Sequence, residues 1–128
     1  DVITALLDID PGLTLLALAG SPLIERARAR GLTVVAEAFA DRAYNDDGTL
    51  VSRRLPDAVL HDADQVAERM LRWAESGTLL SITGQPVRVQ ADSICVHGDS
   101  PGAVEMARRI RARLQAAGVP LAPFAATA

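Results

Sequence analysis

Lysine is missing from this 128-residue sequence, and arginine supplies all thirteen of its basic residues. With abundant alanine, that bias points to a GC-rich bacterial genome. Cysteine occurs once, at Cys95, which excludes an internal disulfide framework and a cysteine-based zinc site and fits a reducing cytoplasm. The formal net charge is −3, and the arginines do not gather on a glycine- or aromatic-rich stretch, so a nucleic-acid groove has no support. No apolar run approaches the ~18 residues that span a bilayer, and no basic-then-apolar leader is present. An initiator methionine is also absent, which fits a processed chain or part of a longer one. The sequence has no GxxxxGK[ST], GxGxxG or GxSxG pattern, and so lacks the usual signatures of ATP binding, dinucleotide binding and serine-hydrolase chemistry. What is present, 49% hydrophobic and 23% charged residues, is the composition of one globular domain spanning 1–128.

Along the chain, Val2 to Leu7 read as a helix closed by the Asp10-Pro11-Gly12 turn. Leu13 to Gly20 ("LTLLALAG") follow as a buried strand. Ser21 and Pro22 form an N-cap and first helical position ahead of "LIERARARG", which Gly31 stops. Leu32 to Ala40 ("LTVVAEAFA") are the next strand, rich in β-branched residues and interrupted by Glu37. Strand, helix and strand make a βαβ unit, which places the chain in the α/β class with parallel core strands.

Asp41 to Asp62 hold turn residues and little periodicity, a long loop of the kind that carries function, with Thr49 to Ser52 as a short edge strand. Asp62 caps an amphipathic helix, "ADQVAERMLRWAESG", whose Val66, Met70 and Trp73 share one face. "TLLSITGQPVRVQ" reads as two short strands about Thr83-Gly84. Ile94, Cys95 and Val96 form the third core strand, and Ser100 and Pro101 supply the N-cap and first position of a last helix stopped at Gly118. Its arginines, at 108, 109, 111 and 113, spread around the helix and read as solvated. Three parallel strands leave two open edges, so a complete fold needs more of them.

Chemistry concentrates at the strand ends. Glu37 lies on the second strand, and Asp41 and Arg42 follow it, so two carboxylates and a guanidinium can meet near one pocket. The carboxylate can then serve as general base, and arginine can grip a substrate carboxylate or phosphate. The same residues also fit a buried Glu–Arg pair that satisfies both charges. His97 and Asp99 close the third strand. Imidazole transfers protons near neutral pH and a carboxylate orients it, while the pattern equally suits a structural histidine, and two ligands do not define a metal site. His61 sits at a helix start and reads as surface.

The runs "FADRAY", "DGTLVSR", "LPDAVLHD" and "ADSICVHGD", in this order, resemble the LamB/YcsF family over nearly the whole chain. The resemblance covers only that family's C-terminal half. It implies the C-terminal portion of a distorted (β/α) barrel, about twice this length, of the glycoside hydrolase/deacetylase type. The pocket of such a barrel lies at the carboxyl ends of its strands. It further implies opening of the 5-oxoproline lactam to glutamate, driven by ATP hydrolysis, by the A subunit of a cytoplasmic 5-oxoprolinase working with two further subunits of B and C type. ATP is then a co-substrate of the complex, and the metal is left unassigned, a divalent ion being admissible. On this basis His97, Asp99 and Glu37 are the expected catalytic residues, and Arg42 and Asp41 the expected substrate contacts. Two other readings remain: a metal-assisted barrel hydrolase of a carbohydrate or N-acyl group, and a non-catalytic structural subunit.

Overall fold

The computed structural model describes residues 1–125. Helix α1 (Val2–Ile9) leads to strand β1 (Thr14–Leu18), helix α2 (Pro22–Ala29) and strand β2 (Thr33–Phe39). After a long loop come helix α3 (Ala63–Ser76), the hairpin of β3 (Thr78–Leu80) and β4 (Pro86–Arg88), strand β5 (Ser93–Cys95) and helix α4 (Ala103–Ala116). Strands β1, β2 and β5 form a parallel sheet in the order β1-β2-β5, and β3 and β4 pair antiparallel apart from it. The α/β class, the βαβ unit and the parallel core expected from sequence are all present.

Local chemistry explains most element boundaries. Ser21 Oγ accepts the Leu23 N–H with Pro22 at the first helical position, and Asp62 Oδ1 accepts the N–H groups of Asp64 and Gln65, filling orphan donors at each helix start. Gly77 ends α3 with φ 73°, a left-handed conformation that costs glycine nothing.

In the sheet, side chains alternate between two faces. Ala17, Ala36, Ala38 and Ile94 turn toward the helices and join a cluster with Val66, Met70, Leu71, Met106, Ile110 and Leu114. Leu16, Leu18, Glu37, Phe39, Ser93 and Cys95 occupy the other face by the strand register. Among the described residues no helix covers this second face as tightly, and Leu16 is 41% exposed there.

Three sequence expectations change. The first strand is not buried throughout. Only Ala17 within β1 is buried, because β1 is an edge strand with helices on one side. Thr49 to Ser52 do not form a strand. Leu50 makes a single bridge to Tyr44 while the rest of the loop folds over Arg42. Helix α4 begins at Ala103, not Pro101, with Gly102 as a cap that offers no side-chain bond. Ser100 instead gives its carbonyl to the Ala103 N–H in a turn. Gly102 sits at φ 79°, and that left-handed residue separates the Ser-Pro pair from the helix.

The arginines of α4 are not all merely solvated. Arg109 bonds Asp64 at 2.8 Å and Arg113 pairs with Glu68, lacing α4 to α3 with exposed ion pairs that are each worth little.

Candidate active site

Strands β2 and β5 run side by side with Phe39 opposite Cys95. Two residues further along each chain stand Asp41 and His97, so the strand register delivers them to neighbouring places. Asp41 Oδ1 lies 2.7 Å from His97 Nδ1, and Asp41 Oδ2 accepts the His97 backbone N–H at 3.0 Å. One carboxylate therefore holds both the ring and the main chain. Asp41 is 3% exposed, whereas the His97 side chain keeps 23% of its surface open. A neutral ring that donates Nδ1–H to this carboxylate leaves Nε2 as its acceptor. The Phe39 ring meets the imidazole edge-on at 4.7 Å between centroids.

Cys95 and Glu37 extend this cluster on the same face of the sheet. Cys95 Sγ is 4.0 Å from His97 Nε2. Burial, then the negative charges of Glu37 and Asp41, and then a hydrogen bond to Glu37 push the thiol up to about 11. It is thus a thiol, not a nucleophile, at neutral pH. We predict that iodoacetamide labels Cys95 at pH 8 roughly two orders of magnitude more slowly than a free cysteine, as read by mass spectrometry of its peptide. Rapid labelling at pH 8 would show a thiolate and refute the assignment. The linkage has a definite sign. An unfolded thiol loses its proton near ~8.5 and the folded one near 11, so this contribution to stability is whole below pH ~8.5 and is lost as pH climbs through about 11.

Behind the pair, the end of β2 is held from the side by two buried groups. Tyr44 is fully buried, and its phenol oxygen accepts the Phe39 N–H at 3.0 Å. Burial raises that phenol above its ordinary range, so it stays neutral. Arg69, on α3, donates from Nη1 to the Ala40 carbonyl at 2.8 Å and lies over the Tyr44 ring, 5.6 Å from its centroid. Burial works against the Arg69 charge, and the nearby Tyr44 and Asp41 favour it.

The expected site residues part company in three dimensions. His97 meets Asp41, not Asp99. Past Gly98 the chain turns away, and Asp99, 71% exposed in its side chain, stands 3.9 Å from Arg53 on the surface. Glu37 reaches the cluster through Cys95 and not through His97 directly. Arg42 is buried, but its guanidinium is engaged by the Val51 carbonyl at 2.7 Å and the Ala58 carbonyl at 3.3 Å. It pins the 41–62 loop, which also closes through Ala43 to Ala58 and Leu60 to Asp41 backbone bonds. His61 is exposed. Cys95, Tyr44 and Arg69 were not singled out by sequence. Cys95 looks like core in an apolar run, and the roles of Tyr44 and Arg69 depend on contacts that no spacing rule shows.

Among the described residues, no three His, Cys, Asp or Glu side chains stand together as a metal-holding group. Both Asp41 oxygens are turned to His97. A groove of about 850 Å³ on the helix side is lined by Ser21, Arg28, Trp73, Arg88 and Asp92 and by none of the cluster. It is separate from the candidate site.

Residues 1–128 match the LamB/YcsF family throughout. The chain belongs to the LamB/YcsF family. Within this family it is 63% identical over 124 residues to a 5-oxoprolinase A subunit of Pseudomonas syringae pv. tomato, the one numbered 3 in that organism, covering 97% of this chain and 48% of that protein. It is 62% identical over 125 residues to the 5-oxoprolinase A subunit of Paracidovorax citrulli, covering 98% of this chain and 50% of the relative. The crystal structure of a lactam utilization protein from Thermus thermophilus superposes with a TM-score of 0.83 at 40% identity, covering 91% of this chain and 46% of that one. The LamB/YcsF chain therefore spans about half the length of the curated relatives it matches. The family resemblance carried by "FADRAY" and "ADSICVHGD" is borne out.

Proposed function

We propose that this chain forms the C-terminal half of a (β/α) barrel in the A subunit of an ATP-dependent 5-oxoprolinase, and that its Asp41–His97 pair transfers protons as the 5-oxoproline lactam opens to glutamate. The observation that carries this reading is the buried carboxylate holding an accessible imidazole at adjacent strand ends, in a LamB/YcsF chain whose relatives are named as 5-oxoprolinase A subunits.

The chemistry asks for such a pair. An unactivated amide is a poor electrophile, and phosphorylation of its oxygen by ATP makes the ring carbon open to water. His97 Nε2 accepts a proton from the attacking water, and the resulting imidazolium is stabilised by Asp41. As the ring C–N bond breaks, the same imidazolium returns the proton to the departing nitrogen, and hydrolysis of the resulting acyl phosphate by a second water releases glutamate and inorganic phosphate. Glu37 tunes the cluster through the Cys95 thiol. Asp99 pairs with Arg53 on the surface, and the subunit works with two partner subunits of B and C type. The reading places the complex in the cytoplasm.

The test is glutamate formation from 5-oxoproline by the full-length protein mixed with its two candidate partner subunits, with and without ATP. Strict dependence on ATP and on this subunit is the expected result. No glutamate from a demonstrably assembled complex would overturn the reading.

A further inference from the structure

The C-terminal end of β2 has lost one neighbour. Strand β1 follows β2 only as far as Leu18 opposite Glu37, and the last contact on that side is the Ala19 N–H to the Glu37 carbonyl. The chain then turns off at Gly20. Phe39 points its backbone groups toward the vacated side, where a continuation of β1 would have taken them. Two side chains hold this end of β2. The Tyr44 phenol accepts the Phe39 N–H at 3.0 Å, and Arg69 Nη1 donates to the Ala40 carbonyl at 2.8 Å and approaches that of Phe39 at 3.5 Å. The next residue is Asp41.

We propose that Arg69 and Tyr44 are positioning residues for the Asp41–His97 pair: they fix the last two peptides of β2 so that the Asp41 carboxylate meets the imidazole and holds it with the proton on Nδ1. Both are buried in whole or part, and they stack on each other, so the clamp has few ways to move. On the opposite side, the Ala40 N–H bonds the Cys95 carbonyl. Phe39–Ala40 is therefore held from both flanks, while Asp41 beyond it is held by His97 and by the Leu60 N–H on its carbonyl. The charged and titratable groups around the imidazole are Asp41, from the loop after β2, and Cys95, from β5. Glu37 on β2 stands behind Cys95, and Arg69 on α3 stands behind Asp41.

The inference rests on the proton-transfer reading of the pair, but its decisive readout does not depend on turnover. Full-length protein labelled with nitrogen-15 histidine reports the neutral tautomer of His97, identified by the signal lost in His97→Gln. Wild type should show the proton on Nδ1. Arg69→Met should shift the population toward Nε2–H and lower kcat at least about tenfold with KM within about twofold, and Arg69→Lys, which can still donate to the Ala40 carbonyl, should restore both. A folded Arg69→Met protein that keeps the wild-type tautomer overturns the proposal, since helix packing alone would lower thermal stability without moving that proton. If Arg69→Met does not fold, Tyr44→Phe decides, because it removes only the oxygen that accepts the Phe39 N–H. An unchanged His97 tautomer in Tyr44→Phe would then refute the clamp. Loss of the tautomer without any 5-oxoprolinase activity in wild type would uphold the clamp and reject the enzyme assignment separately.

Discussion

Asp41→Asn in the full-length protein, assayed with its partner subunits, is expected to lower kcat for glutamate formation by about two to four orders of magnitude. The substitution is nearly isosteric, and the asparagine oxygen can still accept the His97 backbone N–H. Its amide nitrogen then faces His97 Nδ1, which must give up its proton and become an acceptor. The ring proton moves to Nε2, and the lone pair that receives a proton from water is gone. The buried location of Asp41, 3% exposed, keeps solvent from substituting for the lost charge. Folding should be little affected, since the volume is unchanged. A loss smaller than about fivefold with normal assembly would show that Asp41 holds His97 for structure alone.

Arg42→Met should act on a different observable. Arg42 is 7% exposed, and its partners are two main-chain carbonyls, Val51 and Ala58. Methionine fills the space of the stem and leaves the Val51 carbonyl without a donor inside the loop, while the Ala58 carbonyl keeps the Ala43 N–H. An uncompensated buried acceptor costs on the order of 1–3 kcal/mol, so the variant should lose about 1–3 kcal/mol of stability, read as a lowered midpoint in chemical denaturation. KM for 5-oxoproline should stay within about twofold for the fraction that folds. The opposite pattern, an unmoved midpoint with KM raised tenfold or more, would return Arg42 to the substrate contact that its position after a strand suggests. The two variants thus separate neighbours in sequence: Asp41 faces the imidazole, and Arg42 anchors the loop.

Legibility in the sequence followed the range of the interaction. Helix α3 could be read end to end, because Asp62, the spacing of Val66 and Met70, and Gly77 each act within a turn or two. The β3–β4 hairpin was visible for the same reason, through Thr83-Gly84. At the start of α4 two local signals competed. Ser100-Pro101 reads as a helix entry, but Pro101-Gly102 also reads as a turn, and the left-handed Gly102 settled it in favour of the turn. The candidate site was half legible. Glu37, Asp41 and His97 stood out as polar residues at apolar strand ends, and all three gather on one face. Their partnership did not stand out, since Asp41 and His97 are 56 positions apart and only the pairing of β2 with β5 aligns them. Asp99, two residues from His97 in sequence, was the nearer candidate on paper. Tyr44 and Arg69 were invisible because their partners are backbone groups exposed by the early departure of β1.

The alignment of Phe39 with Cys95 has one more consequence, for the fidelity of folding. A slip of one residue between β2 and β5 would move Asp41 off His97 by a full rung, and a one-residue rotation of β2 would turn Glu37 toward the helices and the alanines toward the open face. The same ladder thus sorts the apolar from the polar side and brings Asp41 to His97. A misregistered chain fails at both together: a sheet threaded one residue off loses its sorted faces and its Asp41–His97 contact at once.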